Sequence, residues 1–567
     1  MDRSNYWTRW QSQRVSRRGV LGGTAAVSAG VAGLALVGCG DDDSGGTTQP
    51  TPTSGQPTPA APGVASATAT PAEKIPTGGT MRIGTFLDVL GIDPHIEVSI
   101  GLTQLARVYT YLGAFDRRDQ KFHGMLAEKV EQPSPTEFVF TLRKDVKFQN
   151  LAPVNGRRVV AGDVKYSFER FRDLPQAQNN DFFKTIVDKM EVPDENTFKV
   201  TTKAPYAESL AELTGIQEAI VAKEDVDQRK DLQTGGVGAG PFMWDQYVKG
   251  EKVTLKRNPD YYDKARPYVD KWSWQTILDM NTLIQAYKAD QHDICGALLT
   301  KLDYDDLLNN KNLVNYKIPA LHYGSLGLNA SVKPFNDPKV RQAIYVGMDR
   351  QQFIDKVFQG DAVPMGPLSA GLDFWALPQD QLKPYIGPDI KKAKDLLSAA
   401  GYPNGFDMDI ETSGALQIYL DHAQVAVSEL KKIGINATLK LSDLTTYLTT
   451  HLFAASFNAT VFTHNPYESP KIPLGFYHKN GLGGGSWWHY DNPAVTAAID
   501  KQGQELDVQA RKTQVLAIQK MLLDDGAPLL NFASPQLYNS YNKRVGGIDQ
   551  TARTYGNFLY GEYLKPS

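Results

Sequence analysis

From Thr80 onward the chain alternates two hydrophobic periods. Phe138-Val139-Phe140-Thr141-Leu142 carries a large apolar side chain at every second position, and Thr197-Phe198-Lys199-Val200 does the same, which predicts half-buried strands. Met81-Arg82-Ile83-Gly84-Thr85 reads as a first strand, and Val253-Thr254-Leu255-Lys256 as another after the turn-forming Lys249-Gly250-Glu251. Apolar residues at three- and four-residue spacing predict helices over 163–172, 338–348, 390–400, 421–433 and 507–523. Asp163 is expected to cap the first of these, ahead of a buried stripe through Val164 and Phe168. Asp337-Pro338 pairs a capping carboxylate with a proline at the first helical position, and Gly401 and Gly434 are helix stops. Asn155-Gly156 is turn chemistry. Gly235-Gly236-Val237-Gly238-Ala239-Gly240-Pro241 reads as a flexible turn into a strand. Strands and helices thus mix over nearly the whole of 80–567, too long for one simple core, so several α/β lobes are expected.

The first 77 residues follow neither period. Arg17 and Arg18 precede an apolar run from Gly19 to Gly38 that ends in Leu36-Val37-Gly38-Cys39. A positive segment before an apolar stretch is an export signal, and paired arginines suggest the twin-arginine route, although Val20 and Gly22 stand where Phe and Lys are usual. The small residues before Cys39 resemble a lipobox, whose cysteine is lipidated after cleavage; the alternative is a retained span, which the length permits but the Gly and Ala content weakens. Residues 41–77, rich in Thr, Pro, Ser, Gly and Ala, cannot bury enough apolar surface to offset ordering and are expected to form a tether. A flexible coil of that length reaches roughly 34 Å.

Charge and cysteine content narrow the picture. Loss of residues 1–38 removes five arginines and one aspartate and moves the net charge from −3 to −7. A mildly acidic chain without a basic stripe argues against nucleic acid. Cys39 and Cys295 are the two cysteines, so a lipidated Cys39 leaves no intrachain disulfide, and a body this large needs none. The sequence has no Gly-x-Ser-x-Gly elbow, no His-Glu-x-x-His, no Cys-x-x-Cys and no Walker A loop. No cofactor or resident metal is expected, and the chain is read as no enzyme.

Longer segments carry a resemblance. Leu142-Arg143-Lys144-Asp145-Val146-Lys147-Phe148 followed by Asn155-Gly156-Arg157 and Ala161-Gly162-Asp163-Val164-Lys165-Tyr166-Ser167-Phe168 is one. Gly238-Ala239-Gly240-Pro241-Phe242 before Leu255-Lys256-Arg257-Asn258-Pro259-Asp260-Tyr261-Tyr262 is a second. Pro334-Phe335-Asn336-Asp337-Pro338-Lys339-Val340-Arg341-Gln342-Ala343 before Asp349-Arg350 is a third, and Ala400-Gly401-Tyr402-Pro403-Asn404-Gly405-Phe406 a fourth. In order and spacing, over about residues 78–567, these resemble the family 5 extracellular solute-binding proteins, the dipeptide, oligopeptide and nickel binders of ABC importers. The resemblance implies a two-lobed periplasmic-binding-protein-like fold (type II, cluster C style) with an extra domain in lobe I. Lobe I would comprise 78–118, 237–321 and 530–567, the inserted domain 119–236 and lobe II 322–529. It also implies a monomer on the extracytoplasmic face of the cell membrane, delivering a small solute to permease subunits driven by cytoplasmic ATPases. The cleft would close on that solute.

Peptide-binding members carry an aspartate in lobe II that pairs with the peptide α-ammonium. Here the corresponding stretch is Val461-Phe462-Thr463-His464-Asn465-Pro466-Tyr467-Glu468-Ser469-Pro470, with Pro466 at the aspartate's place and Glu468 two residues displaced. Candidate ligand contacts are Phe86, His322, Tyr323, Phe462, His464, Asn465, Tyr467, Trp487 and Trp488. Aromatic faces and amides of this kind suit a neutral polar ligand, while the tryptophan pair equally suits lobe packing. The cargo stays open between a peptide and an oligosaccharide. A nickel or metal-chelate binder would need His322, His464, His478 and His489 to converge. A secreted hydrolase, the alternative of another class, would need a catalytic pair in the cleft that the spacing does not mark.

Overall fold

The computed structural model describes residues 75–89, 91–97, 101–117, 120–233, 235–481, 487–550 and 561–566. Arg17, Arg18, Cys39 and the tether expected over 41–77 lie outside these residues, apart from 75–77.

Three sheets organise the described chain. The first has eight strands. Along it run Leu313–Pro319, Ala533–Asn542, Ile294–Gly296, Thr80–Thr85, Lys271–Thr276, Lys252–Arg257 and Phe242–Val248, with Ala362–Pro364 paired to Ala533–Asn542 off this path. Thr80–Thr85 lies between two parallel neighbours, and the remaining pairings are antiparallel. The inserted sheet is a four-stranded antiparallel layer of two hairpins in the order Ala127–Ser134, Glu137–Leu142, Thr197–Thr202, Val187–Asp194. Its period-two strands turn Phe138, Phe140, Phe198 and Val200 onto Val164, Phe168 and Phe171 of the helix Ala161–Asp173. Asp163 does not cap that helix as expected. It stands at the third helical position, where its carboxylate accepts from the Val160 backbone N–H and from Arg157. The third sheet runs Ile435–Ser442, Phe406–Ser413, Ala459–His464, Tyr323–Leu328, Leu529–Asn531, covered by the helices Pro338–Gly347, Ile390–Ala399 and Gln417–Lys432. Asp337 caps Pro338–Gly347 by accepting from Lys339 N, and Gly401 and Gly434 follow helix ends with positive φ.

Besides the excursion by which Ala362–Pro364 pairs with Ala533–Asn542, the chain passes directly between the first and third sheets twice. It leaves after Pro319 and enters the third sheet at Tyr323; it returns between Asn531 and Ala533. Leu530 and Asn531, assigned above to the first lobe, therefore pair in the third sheet. Among the described residues no apolar cluster draws buried members from both sides, Leu321 and Phe532 at the crossings aside.

The first and inserted sheets, by contrast, are locked into one body. Arg170 of the inserted helix forms a 2.5 Å ion pair with Asp93, with side chains 8% and 0% exposed. Arg170 also donates to His95 Nδ1, which leaves Nε2–H to donate to Ala219 O. The buried Gln149 amide donates to the carbonyls of Val108 and Phe242. The glycine run is buried here rather than flexible: a Cβ on Gly238 would stand 1.9 Å from Val108 O, so only glycine lets the two backbones pass this closely.

A buried ion pair contributes little net stability when intact, but removal of one partner strands the other charge. Arg170→Ala is expected to lower the unfolding free energy by about 3–5 kcal/mol in urea titrations, and the double variant D93A/R170A to cost less than the two single losses summed. Strict additivity would show that the pair does not join the sheets.

Candidate functional site

Immediately after the first crossing, Tyr323–Leu328 pairs antiparallel with Ala459–His464, and Tyr323 stands opposite His464. Strand alternation puts Phe462 and His464 on one face and Val461 on the other, where it joins a separate core. The result is an aromatic cage around the His464 ring. Tyr323 lies 4.4 Å away between centroids, Phe462 4.5 Å, Phe476 5.1 Å and Tyr467 6.3 Å. Behind it Phe462 stacks on Trp488 at 5.4 Å, and Trp487 lies 5.8 Å from Phe476 and 6.3 Å from Trp488. Trp488 is fully buried and presses on Gly327, where a Cβ would come 2.1 Å from its ring.

The cage is apolar in shape but not in chemistry. His464 is 5% exposed and Tyr323 2%, yet neither ring nitrogen of His464, nor the Tyr323 hydroxyl, has a hydrogen-bond partner among the described residues. Burying a charged ring here is costly, so burial holds the His464 pKa down at about 3 and the imidazole is neutral at physiological pH. The Tyr323 hydroxyl is likewise held protonated by burial. The pair therefore holds uncharged donors and acceptors, buried beside the first crossing.

Beyond the strand, Asn465 and Pro466 are exposed, and the displaced acid is already engaged: Glu468 Oε2 accepts an ion pair from Arg117 Nε at 3.1 Å. Of the candidates read from sequence, Tyr323, Phe462, His464, Tyr467, Trp487 and Trp488 come together. Phe86 does not join them. It packs with Leu283, Ile284 and Ala297 at the end of Thr80–Thr85, while His322 is exposed at the crossing. His478 faces Asp500 at 3.2 Å, and among the described residues no group of three or more His, Cys, Asp or Glu could hold a metal ion. Sequence reasoning missed Phe476 and Arg117. Nothing in spacing links Arg117 to an acid that far along the chain.

Residues 121–481 match the model of the bacterial extracellular solute-binding proteins, family 5 (middle). The chain belongs to this family. As a family 5 protein it is a solute-binding component of an ABC importer, taking peptides or similar solutes, with the two-lobed type II periplasmic-binding fold. Among its relatives is the glutathione-binding protein GsiB of Salmonella choleraesuis, 28% identical over 367 residues that cover 62% of this chain and 67% of the relative. Among solved structures, DppA of Helicobacter pylori in complex with the peptide STSA is 25% identical with a TM-score of 0.66, covering 87% of this chain and 99% of its own. AgaA of A. tumefaciens R10 in complex with agropinic acid is 26% identical with a TM-score of 0.65, covering 86% and 99%.

His464, His95 and His422 are all buried, with pKa values near 3, 4 and 4, desolvation being the first cause in each. Their folded pKa lies below the unfolded value of about 6.5. Between roughly pH 3 and 6.5 the unfolded chain thus binds more protons, so their stability cost is absent above pH 6.5 and grows as pH falls. His464→Phe is expected to make the loss of urea midpoint between pH 7 and 4 shallower than in the wild type. An unchanged slope would show that His464 is not held neutral by the fold.

Proposed function

We propose that this family 5 protein works outside the cell, tethered by a lipidated Cys39, and that its cargo is a small peptide-like solute held at the aromatic cage by uncharged hydrogen bonds rather than by an ammonium–carboxylate pair. The observation that carries the cargo reading is the state of Glu468. The one acid near the place of the expected aspartate is tied to Arg117, and Pro466 offers no charge. An ammonium drawn into a closed cleft needs a partner, because an unpaired buried charge is costly. His464 and Tyr323 supply only neutral donors and acceptors, which suit amides and hydroxyls. The peptide class is supported by the relatives: GsiB is a glutathione-binding protein and DppA was solved with a peptide.

Function then follows from mass action and not from turnover. A solute that touches both bodies shifts the population of their arrangements by its differential affinity and by no more than that. The importer reads the arrangement. An N-terminal anchor followed by a tether keeps the body near its permease while letting it rotate.

Two experiments test this reading. In a thermal-shift series with glutathione, Ser-Thr-Ser-Ala and N-acetyl-Ser-Thr-Ser-Ala, a bound solute at a hundredfold excess over Kd stabilises by about 2.7 kcal/mol. The acetylated tetrapeptide is expected to bind no more weakly than the free one. A tenfold loss on acetylation would overturn the uncharged-recognition reading, and binding of gluco- or manno-oligosaccharides in place of every peptide would move the cargo to sugars. For the anchor, Cys39→Ser in the full chain is expected to shift the protein from the membrane to the soluble extracytoplasmic fraction. Undiminished membrane retention would refute lipidation at Cys39.

A further inference from the structure

Apart from the crossings, the two bodies meet across a polar seam, and its charges are matched. On the first body Arg117 follows the strand Gly113–Asp116, and Glu208 and Glu212 flank or lie in the short helix Ser209–Leu213. On the second body Glu468 and Lys471 bracket the start of the helix Lys471–Gly475, and Arg511 lies in the helix Val508–Asp525. Across the seam Arg511 pairs with Glu208 at 2.5 Å, Lys471 with Glu212 at 2.8 Å and Arg117 with Glu468 at 3.1 Å. Arg117 also reaches Glu208 on its own side at 3.5 Å, so Arg511, Glu208, Arg117 and Glu468 form one chain of ion pairs, with Lys471–Glu212 as a second pair beside it. Ala207 N–H donates to Gly503 O in the same seam at 2.9 Å.

Neighbouring side chains steady the pairs. Arg511 donates to Gln502 Oε1 and lies 4.8 Å over the Trp375 ring; the Tyr206 hydroxyl donates to Glu212 at 3.3 Å, and the Lys471 ammonium stands 5.2 Å over the Tyr206 ring. Tyr206 in turn packs on Phe182 of the inserted domain. The Arg511 and Glu208 side chains are only 5% and 8% exposed, so this pair is dry in the observed arrangement and would hydrate when the bodies part. Burial pushes the Glu208 pKa up, but Arg511 and Arg117 outweigh it and keep the carboxyl ionised.

We propose that these six residues are an electrostatic lock that sets the resting arrangement of the two bodies, against which solute binding and delivery work. The seam has what such a device needs. No shared apolar cluster holds the bodies together there, so charge decides the contact. A dry ion pair has a small net value when complete, yet losing one partner strands the other charge, and parting the bodies relieves that strain through hydration. Opening and closing are thereby poised near balance while the arrangement stays specific.

The test uses no solute, so its outcome is independent of the cargo reading. In the full chain with Cys295→Ser, spin labels at Asp188→Cys on the inserted sheet and Ser398→Cys on the second body report the distance between bodies by electron double resonance. Both positions are exposed. Wild-type seam residues are expected to give one narrow distribution at low salt. Glu212→Lys or Lys471→Glu alone is expected to broaden it, shifting the inter-body equilibrium by about three- to thirtyfold, and the swapped pair E212K/K471E to restore it. Sodium chloride at 1 M is expected to broaden the wild type in the same direction. Identical distributions in all four proteins at low and high salt would overturn the lock. So would single-variant broadening that the swap fails to reverse, since that is the signature of local misfolding.

Discussion

The arrangement of the two bodies rests on two direct crossings of the chain, at 320–322 and at Phe532, with Ala362–Pro364 of the second body added to the edge of Ala533–Asn542 beside them. The two crossing segments are antiparallel neighbours, Leu313–Pro319 pairing with Ala533–Asn542 on one side and Tyr323–Leu328 with Leu529–Asn531 on the other. The second body braces both strands. Asp361 pairs with Lys317 at 2.5 Å and accepts from the Tyr538 hydroxyl at 2.9 Å. Phe532 donates its N–H to Gly324 O and stacks on Phe353 at 4.0 Å and on His422 at 5.3 Å. Gly324 admits His422 against the strand, where a Cβ would stand 2.5 Å from its Nε2. Away from the crossings each body has its own apolar core, so the contacts between them are mostly polar.

The candidate site begins at the first residue past the first crossing. Tyr323 opens a strand whose other members are buried core, and His464 closes the strand beside it. If the proposed cargo binds here, it sits beside the segment that joins the two bodies, and no relay between distant sites is required.

The fold was legible where local physics decides it. Period-two runs at Glu137–Leu142 and Thr197–Thr202 became paired neighbours, and Asp337, Gly401 and Gly434 ended helices as their side chains or lack of them demand. Asp163 shows the limit. Its type and place suit either a cap or the third helical position, and only the partner Arg157 decides between them. The buried glycine run was misread for the same reason: a glycine needed for close backbone approach and one needed for flexibility look alike until the opposing chain, here Val108, is known. At the site, alternation along Phe462-Thr463-His464 was readable, but Phe476 and Arg117 enter through tertiary packing that carries no spacing.

A neutral cage in place of the expected aspartate, as proposed, would also change what selectivity can mean here. A carboxylate in a closing cleft discriminates by charge and penalises every ligand that leaves it unpaired. In the proposed site a neutral imidazole and phenol in an aromatic wall would discriminate by hydrogen-bond geometry and ring contact instead of by a paired charge. The charge absent from the cage reappears at the seam, where Glu468 serves an arginine of the opposite body. An acid committed to holding two bodies together cannot also receive a cationic ligand without weakening that hold. On the two proposals together, the Glu468–Arg117 pair would join neutral recognition and charge-held resting geometry through one side chain.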